Sequence, residues 1–238
     1  MTGGSRGLGR AIALGLATAG ADIAVVSRKL DHCQVVTGEI ESQTAARAHA
    51  FRCHVGRWEE IGELVEELER TFGRIDVLVN NAGMSPLYAT VSAVSEELFD
   101  KTIAVNLKGP FRLGALIGAH MVDHGGGSII NIGSVASVQP SEHEIPYAAA
   151  KAGLDAVTAG LAHAYGPTVR VNSVMCGPFK TDAAAGYDLD STTARHPIPG
   201  GGEPSDVVGI VRHLAGPDAR FTTGGVFRVD GGMAITRA

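Results

Sequence analysis

The sequence is poor in aromatic residues, which make up 5% of its 238 residues, and it has only three cysteines. Cys33, Cys53 and Cys176 are scattered and odd in number, which argues against a disulfide scaffold and is typical of reduced thiols in a cytoplasmic protein. A formal net charge of −5 leaves no basic excess, so we expect no nucleic-acid partner. The apolar run over residues 11–26 is interrupted by a glycine and an aspartate, so we expect no membrane span.

Apolar residues and glycine, in contrast, are abundant. The 45% apolar content is enough for a sizeable core and argues against disorder. No repeat, low-complexity segment or linker divides the chain, so we predict a single domain over residues 1–238. Cys53 and His54, with His49 nearby, lack the spacing of a zinc site, and no metal is expected.

The most informative stretch is residues 129–153, with the sequence IINIGSVASVQPSEHEIPYAAAKAG. Its apolar beginning predicts a buried strand that ends near Ser134, and Pro146 is suited to the first turn of a following helix. Tyr147 and Lys151 lie four positions apart on that helix and therefore share one face. We expect Ser134 to meet them across the loop.

These residue types suit proton transfer to and from oxygen. A free tyrosine has a pKa of about 10, and a nearby ammonium group lowers it. We predict that Tyr147 is an acid and base for a carbonyl or alcohol and that Ser134 positions the same oxygen. None of these groups is a strong nucleophile here, which suits hydride transfer by a bound cofactor. For the Tyr147 and Lys151 pair alone, an ordinary helix face remains the alternative.

Residues 2–9, TGGSRGLG, form a glycine-rich turn before a predicted helix over residues 10–19. Gly3, Gly7 and Gly9 permit a tight turn whose N–H groups approach a phosphate at a helix N-terminus. Taken alone, such a loop is equally compatible with an ordinary turn.

Together these motifs resemble the short-chain dehydrogenase/reductase family over almost the whole chain. TGGSRGLG matches the T-G-x-x-x-G-x-G of the family, and the NNAG of residues 80–83 matches the segment after its fourth strand. The resemblance implies an α/β fold, a Rossmann-like doubly wound parallel sheet in a single domain. Its closest named activity is 3-oxoacyl-[acyl-carrier-protein] reductase, although no clear basic patch for an acidic carrier protein is visible.

The sequence begins at the glycine turn, without the central strand that precedes this turn in the family. Met1 stands where that strand ends. Loss of a central strand would leave backbone groups unpaired and a hole in the core. We therefore expect the true start to lie upstream, with a GTG valine codon read as the initiator; an unstable truncated chain is the alternative.

The resemblance also implies roles for individual residues. Asn106 would maintain a proton relay beside Lys151 from within a helix predicted over residues 99–117, where asparagine is intrinsically unfavourable. The implied catalytic set is Asn106, Ser134, Tyr147 and Lys151. The implied cofactor-binding residues are Gly3, Ser5, Arg6, Gly7, Leu8, Gly9, Arg28, Val55, Asn81, Ala82, Gly83, Tyr147, Lys151, Phe179 and Thr181.

The end of the second predicted strand, residues 22–27, indicates which dinucleotide is bound. Ser27 stands where an acidic residue would hold the ribose 2′-OH of NAD. Arg28 follows it and Arg6 lies in the glycine turn, and guanidinium groups suit a 2′-phosphate. We predict NADP as the cofactor, with NAD less favoured; two solvated surface arginines are the alternative.

Two positions depart from the pattern of the family. His54 replaces the aspartate that usually precedes the hydrophobic residue at Val55, and Cys176 replaces a proline. Residues 183–202 are polar and glycine-rich and resemble the substrate lid of the family.

The loop SEHEIP places Glu142, His143 and Glu144 near the predicted site entrance. These side chains either touch a polar substrate or form an ordinary solvated loop.

The sequence thus predicts an NADP-dependent oxidoreductase that interconverts a ketone and a secondary alcohol of a small-molecule substrate. The apolar helices predicted over residues 99–117 and 148–165 correspond to an interface of the family, so a homotetramer, or a homodimer, is expected. The alternatives are a non-catalytic nucleotide-binding protein and an inactive, N-terminally truncated fragment.

Overall fold

The computed structural model describes residues 1–184 and 188–236, except for the side chain of Ala183. Strands and helices alternate along the chain, as in other α/β proteins. The strands are β1 (Ile23–Ser27), β2 (Ala48–Arg52), β3 (Val77–Asn80), β4 (Gly127–Ser134), β5 (Val169–Cys176) and β6 (Val226–Val229). The helices are α1 (Gly7–Thr18), α2 (Leu30–Gln43), α3 (Trp58–Phe72), α4 (Glu96–Ile103), α5 (Gly109–Asp123), α6 (Ile145–Tyr165), α7 (Leu189–Thr193) and α8 (Val208–Ala215).

The strands form two parallel sheets that meet at the N-terminal residues. β1 pairs with β2, and the second sheet has the order β3-β4-β5-β6. Between the sheets, the Val26 N–H donates to the Met1 carbonyl and the Thr2 N–H donates to the Val79 carbonyl, each over 3.0 Å. Within the described ranges, Met1 and Thr2 are therefore the residues that join β1 to β3.

Helices cover both faces of this sheet, which makes the fold doubly wound. The helices α1, α2 and α8 pack over one face, and α3, α5 and α6 pack over the other. β4 and β5 are buried on both faces, as expected for parallel strands, and their apolar runs need no polar alternation. The predicted fold class, an α/β Rossmann-like parallel sheet in one domain, is confirmed.

The single helix predicted over residues 99–117 is a longer helical segment in the structure, and it consists of two α-helices. α4 and α5 are joined by a π-helical turn over Ala104–Lys108. Asn106 lies in this turn, where its side-chain amide donates to the carbonyl of Thr102 (2.9 Å) and to that of Met84 (2.8 Å). The widened turn places a polar side chain at a buried position and satisfies it there.

Candidate functional site

The predicted catalytic residues of β4 and α6 come together at the carboxyl end of the four-stranded sheet. Ser134 is the last residue of β4, and its hydroxyl accepts a hydrogen bond from the Ala136 N–H (3.2 Å). Tyr147 and Lys151 lie one turn apart on α6, with the lysine Nζ 5.6 Å from the centre of the tyrosine ring. The Ser134 hydroxyl forms a hydrogen bond with the phenol of Tyr147. The structure thus brings the three residues into one corner of the sheet.

The phenol of Tyr147 is strongly desolvated. Burial raises its pKa to about 12, the hydrogen bond from Ser134 acts in the opposite direction, and the nearby Glu144 and Cys176 raise it further. The expectation that Lys151 lowers this pKa is not met in this structure: burial dominates the shift, and Ser134 rather than Lys151 is the group that opposes it. The phenol is therefore protonated throughout the neutral range.

Lys151 is 4% exposed, and its ammonium donates to the Ile132 carbonyl over 2.7 Å. Burial lowers its pKa to about 8, although Cys176 and Asp155 act to raise it. An ammonium group has three donors, and in the described part of the chain one of them is used. The remaining donors can serve a ligand hydroxyl.

Asn106 and the NNAG segment lie against the same lysine. A Cβ atom added to Gly83 would lie 3.0 Å from the Asn106 Oδ1 and 3.9 Å from the Lys151 Nζ. The Asn106 Oδ1 also accepts from the Met84 N–H (3.2 Å). The side chain of Asn106 therefore fastens the loop after β3 to the π-helical turn and borders the lysine.

The glycine turn is built around close backbone contacts. Gly3 and Gly7 have φ of +62° and +52°, which favour glycine. A Cβ on Gly9 would meet the Gly3 carbonyl at 2.1 Å, and one on Gly7 would meet Thr181 at 3.4 Å. The glycine turn therefore lies against Thr181.

Thr2 and Asn81 hold this turn in place. The Thr2 hydroxyl accepts from the N–H groups of Asn81 (3.0 Å) and Ala82 (3.1 Å), and the Asn81 side chain donates to the Thr2 (3.0 Å) and Gly3 (3.1 Å) carbonyls. The sequence analysis did not single out Thr2, although it is part of the TGGSRGLG motif.

The residues that would hold a dinucleotide phosphate fit that group. Ser5 and Leu8 are partly buried beside the glycines, and Arg6 is the exposed N-cap residue of α1. Among the described residues, no side chain caps this helix, so its first N–H groups are free to meet an anion. Such a row of donors matches a pyrophosphate.

Arg28 follows β1 and is exposed. The Gly4 N–H donates to the Val26 carbonyl (3.4 Å), so the glycine turn with Arg6 lies beside the end of β1. Neither guanidinium forms an ion pair with any residue in the described ranges. The Ser27 hydroxyl is hydrogen-bonded to the backbone N–H and carbonyl of Lys29. An uncharged hydroxyl therefore stands where a carboxylate would bind the ribose of NAD.

Val55 and Phe179 belong to the apolar core on opposite faces of the sheet, Val55 on the side of α3 and α5 and Phe179 on the side of α1 and α8. Val55 is buried with its carbonyl against Gly109 at the start of α5. Phe179 is 6% exposed and forms a parallel bridge with Gly202, the last residue of the predicted lid. These contacts do not involve a cofactor, so the cofactor-binding roles of Val55 and Phe179 stay predictions.

The predicted lid, residues 183–202, contains α7 and ends at the bridge to Phe179. Residues 185–187 of this segment lie outside the described residues. Cys176 is buried at the end of β5, where burial raises the pKa of its thiol to about 12 and makes it a poor nucleophile.

Glu144 and Cys176 are near neighbours of Tyr147 that the sequence analysis did not assign to the catalytic group. Both raise the pKa of the phenol. Glu144 lies three residues before Tyr147 at the start of α6, and this spacing indicates that the two side chains are neighbours. Cys176 comes from β5, so the local sequence gives no such indication for it.

Over residues 1–184 and 188–236, no group of three or more His, Cys, Asp or Glu side chains is placed to hold a metal ion. No helix in that part of the chain combines the length and apolarity needed to cross a bilayer.

Comparison with known proteins agrees with this architecture. The family model described as enoyl-(acyl carrier protein) reductase matches residues 3–234. Human dehydrogenase/reductase SDR family member 4 is 33% identical over 238 residues, covering 98% of this chain and 85% of the relative. The 3-oxoacyl-[acyl-carrier-protein] reductase FabG of Thermotoga maritima is 31% identical over 239 residues, covering 99% and 96%.

A solved structure shows the same fold. The short-chain dehydrogenase of Burkholderia cenocepacia J2315 in complex with NADP superposes with a TM-score of 0.90 at 33% identity, covering 97% of this chain and 95% of that one. The family model, the relatives and the arrangement of Ser134, Tyr147 and Lys151 lead to one conclusion. The chain belongs to the short-chain dehydrogenase/reductase family of NAD(P)-dependent oxidoreductases.

Proposed function

We propose that this protein is an NADP-dependent oxidoreductase that interconverts a ketone and a secondary alcohol. The observation that carries the proposal is the buried Tyr147 phenol beside Ser134, protonated at neutral pH because burial raises its pKa to about 12. A positioned, protonated phenol is a general acid for an oxygen atom that gains negative charge.

In the direction of reduction, Ser134 and Tyr147 act on the carbonyl oxygen. When bound, the dinucleotide supplies the hydride that the carbonyl carbon accepts, and it is thereby oxidised. The Ser134 hydroxyl donates to the oxygen and orients it, and Tyr147 transfers its proton to that oxygen. The alcohol thus gains one hydride and one proton. In oxidation the same two groups act in reverse.

Lys151 and Asn106 support this proton transfer. The Lys151 ammonium has unused donors for the ribose hydroxyls of the dinucleotide. Asn106 borders the lysine through Gly83 and keeps the loop after β3 in place. We assign Asn106 a positioning role in the proton relay.

The cofactor-binding residues follow the edge of the sheet. Gly3, Ser5, Arg6, Gly7, Leu8 and Gly9 would hold the pyrophosphate, and the Asn81–Gly83 segment, Phe179 and Thr181 would border the nicotinamide half. Val55 would border the adenine. The preference for NADP is supported by the two unpaired, exposed guanidinium groups of Arg6 and Arg28 and by the uncharged Ser27. It is also supported by the NADP complex of the similar Burkholderia enzyme.

The assembly and location of the protein are part of the same proposal. We place it in the cytoplasm, in line with its free cysteines. We also propose a homotetramer, supported by partly exposed aromatic side chains on α4 and α5, Phe99 and Phe111. Size-exclusion chromatography with light scattering tests the assembly.

The substitution Tyr147→Phe tests the mechanism. It removes the proton donor without changing the ring, so we expect kcat for ketone reduction to fall by about a thousandfold or more while the Kd for NADPH changes little. Stopped-flow turnover and NADPH fluorescence titration measure the two quantities.

Tyr165→Phe is the matched control on the same helix. Its hydroxyl donates to the Ala115 carbonyl (2.8 Å), far along α6 from the site, so turnover should remain close to that of the unmodified protein. Equal activity of Tyr147→Phe and Tyr165→Phe would overturn the assignment of the acid.

A further inference from the structure

The carboxylate of Glu144 occupies an unusual position beside the reactive phenol. Glu144 immediately precedes α6, so its side chain lies within one turn of Tyr147, and it acts electrostatically on that phenol. It also lines a cavity of about 310 Å³ whose other lining residues are Leu87, Tyr88, Ser141 and His143. The carboxylate therefore lines this cavity and is also near the predicted proton donor.

Glu144 receives little compensation for its burial. Its carboxylate accepts one hydrogen bond, from the Ser85 hydroxyl at 3.3 Å, and burial raises its pKa. It does not cap the helix that it precedes, and no cation in the described ranges pairs with it. A carboxylate has roughly four acceptor positions, and a half-buried one with a single long bond is costly to leave unsatisfied.

The cavity wall around this carboxylate carries one basic side chain, His143, whose imidazole lies 3.8 Å from the Glu142 carboxylate. Tyr88 is fixed in place because its hydroxyl accepts from the Ile145 N–H (2.8 Å). No lysine or arginine is among the described residues that line the cavity. An anionic group of a substrate would therefore meet Glu144 with no lysine or arginine beside it, whereas a hydroxyl or ammonium group would satisfy the carboxylate.

We propose that Glu144 is a specificity-determining residue that selects carbonyl substrates with a hydrogen-bond donor, a hydroxyl or ammonium group, next to the reacting carbon. It rejects substrates with a carboxylate at that end. This inference rests on the proposed function, and it names the substrate class of the same site. Glu144 takes no part in the proton transfer itself.

Three small ketones of similar size separate the possibilities: 3-hydroxybutan-2-one, which carries the donor, butan-2-one, which lacks it, and 3-oxobutanoate, which carries a carboxylate. We compare kcat/KM with NADPH in the unmodified protein and in Glu144→Gln. This isosteric change removes the charge and keeps the side-chain volume, and a thermal melt verifies that the variant is folded.

The matched control is Glu142→Gln, which removes an equal charge two residues away. The side chain of Glu142 is 77% exposed, and its carboxylate lies 3.8 Å from the imidazole of His143. Glu142→Gln should leave all three rates in their original ratios.

We expect Glu144→Gln to lower the preference for 3-hydroxybutan-2-one over butan-2-one by about tenfold, because a charge-assisted hydrogen bond becomes a neutral one. The rate with 3-oxobutanoate relative to butan-2-one should rise by a similar factor. Unchanged ratios in Glu144→Gln, or the same change in Glu142→Gln, would overturn the inference while leaving the proposed function intact. An unmodified protein that reduces none of the three ketones, with either dinucleotide, would contradict both.

Discussion

At one corner of the site Lys151 is buried and Tyr147 is partly buried, whereas Arg6 and Arg28 at the other corner are exposed. Burial raises the pKa of the phenol and lowers that of the ammonium, because it disfavours the charged form of each group. The two arginines keep ordinary solvation. The difference teaches that the buried Lys151 ammonium is held at a cost in folding free energy, whereas the two exposed guanidinium groups carry almost none.

The two corners also differ in what fastens them to the sheet. The lysine is held by one hydrogen bond to the β4 backbone. The glycine turn is held by a network centred on Thr2, whose backbone also joins β1 to β3 through the Val79 carbonyl. The exposed corner therefore depends on the buried Thr2 hydroxyl, and the buried corner depends on the hydrogen bond from Lys151 to the strand.

The largest effect on stability should come from Thr2→Val, which keeps the shape of the side chain and removes its oxygen. The N–H groups of Asn81 and Ala82 lose their acceptor, so we expect the free energy of unfolding to fall by about 2–4 kcal/mol. Urea denaturation followed by circular dichroism measures the change, and the affinity for NADPH should fall with it.

Thr18→Val is the control for this substitution. The Thr18 hydroxyl is exposed and donates to the Leu14 carbonyl one turn back in α1, so its loss should change stability by less than about 0.5 kcal/mol. If the two variants were equally stable, the glycine turn would not depend on Thr2.

A smaller effect, of opposite sign, is expected for Lys151→Met. Because burial lowers the pKa of this lysine from 10.5 to about 8, the folded chain disfavours a proton that the unfolded chain binds at neutral pH. Relief of this penalty, at most about 3 kcal/mol, is partly offset by the lost hydrogen bond to Ile132, so we expect a gain of roughly 1–3 kcal/mol. Ketone reduction should be lost in the same variant.

The pH dependence of this gain follows from the direction of the shift. The lysine penalty is fully present below pH about 8 and disappears as pH rises toward 10.5, where the unfolded chain also loses the proton. The advantage of Lys151→Met in thermal melts should therefore shrink over that interval. Lys101→Met, at an exposed lysine paired with Glu97, should show neither the gain nor its pH dependence.

The smallest effect is expected for Arg28→Ala at the exposed corner. Loss of one guanidinium should raise the Kd for NADPH about tenfold and leave that for NADH nearly unchanged, with no change in stability beyond about 0.5 kcal/mol. Fluorescence titration with both dinucleotides measures this.

Arg10→Ala removes an equal charge from an arginine that is paired with Glu39 on α2, and it should not discriminate between the dinucleotides. A parallel loss of NADPH and NADH binding in Arg28→Ala would show that Arg28 does not read the 2′-phosphate.

Elements with a strong local pattern were predictable from the sequence. The helix α3 can be predicted from the sequence, because its apolar residues recur on one face and acidic residues fill its first turn. The strand expected at residues 129–132 is the core of β4, and its apolar run is typical of a strand buried on both faces.

Other elements were not predictable because their signals are weak or non-local. α2 is largely polar, with few apolar residues to mark its buried face, and it was not anticipated. The interruption of the predicted helix over residues 99–117 depends on bonds from Asn106 to the loop after β3, which no periodicity reports. The joining of β1 to β3 by Met1 and Thr2 likewise depends on contacts across the sheet.

By itself, the sequence determined the parallel α/β fold and the family, and it predicted the facing pair Tyr147 and Lys151, because helix spacing and glycine turns are local properties. Only the tertiary structure decided that the phenol is made less acidic rather than more, and that Glu144 is a half-buried carboxylate at a cavity. The physical reason is that burial depends on what distant segments place around a group, and desolvation here outweighs the charges that neighbouring positions supply.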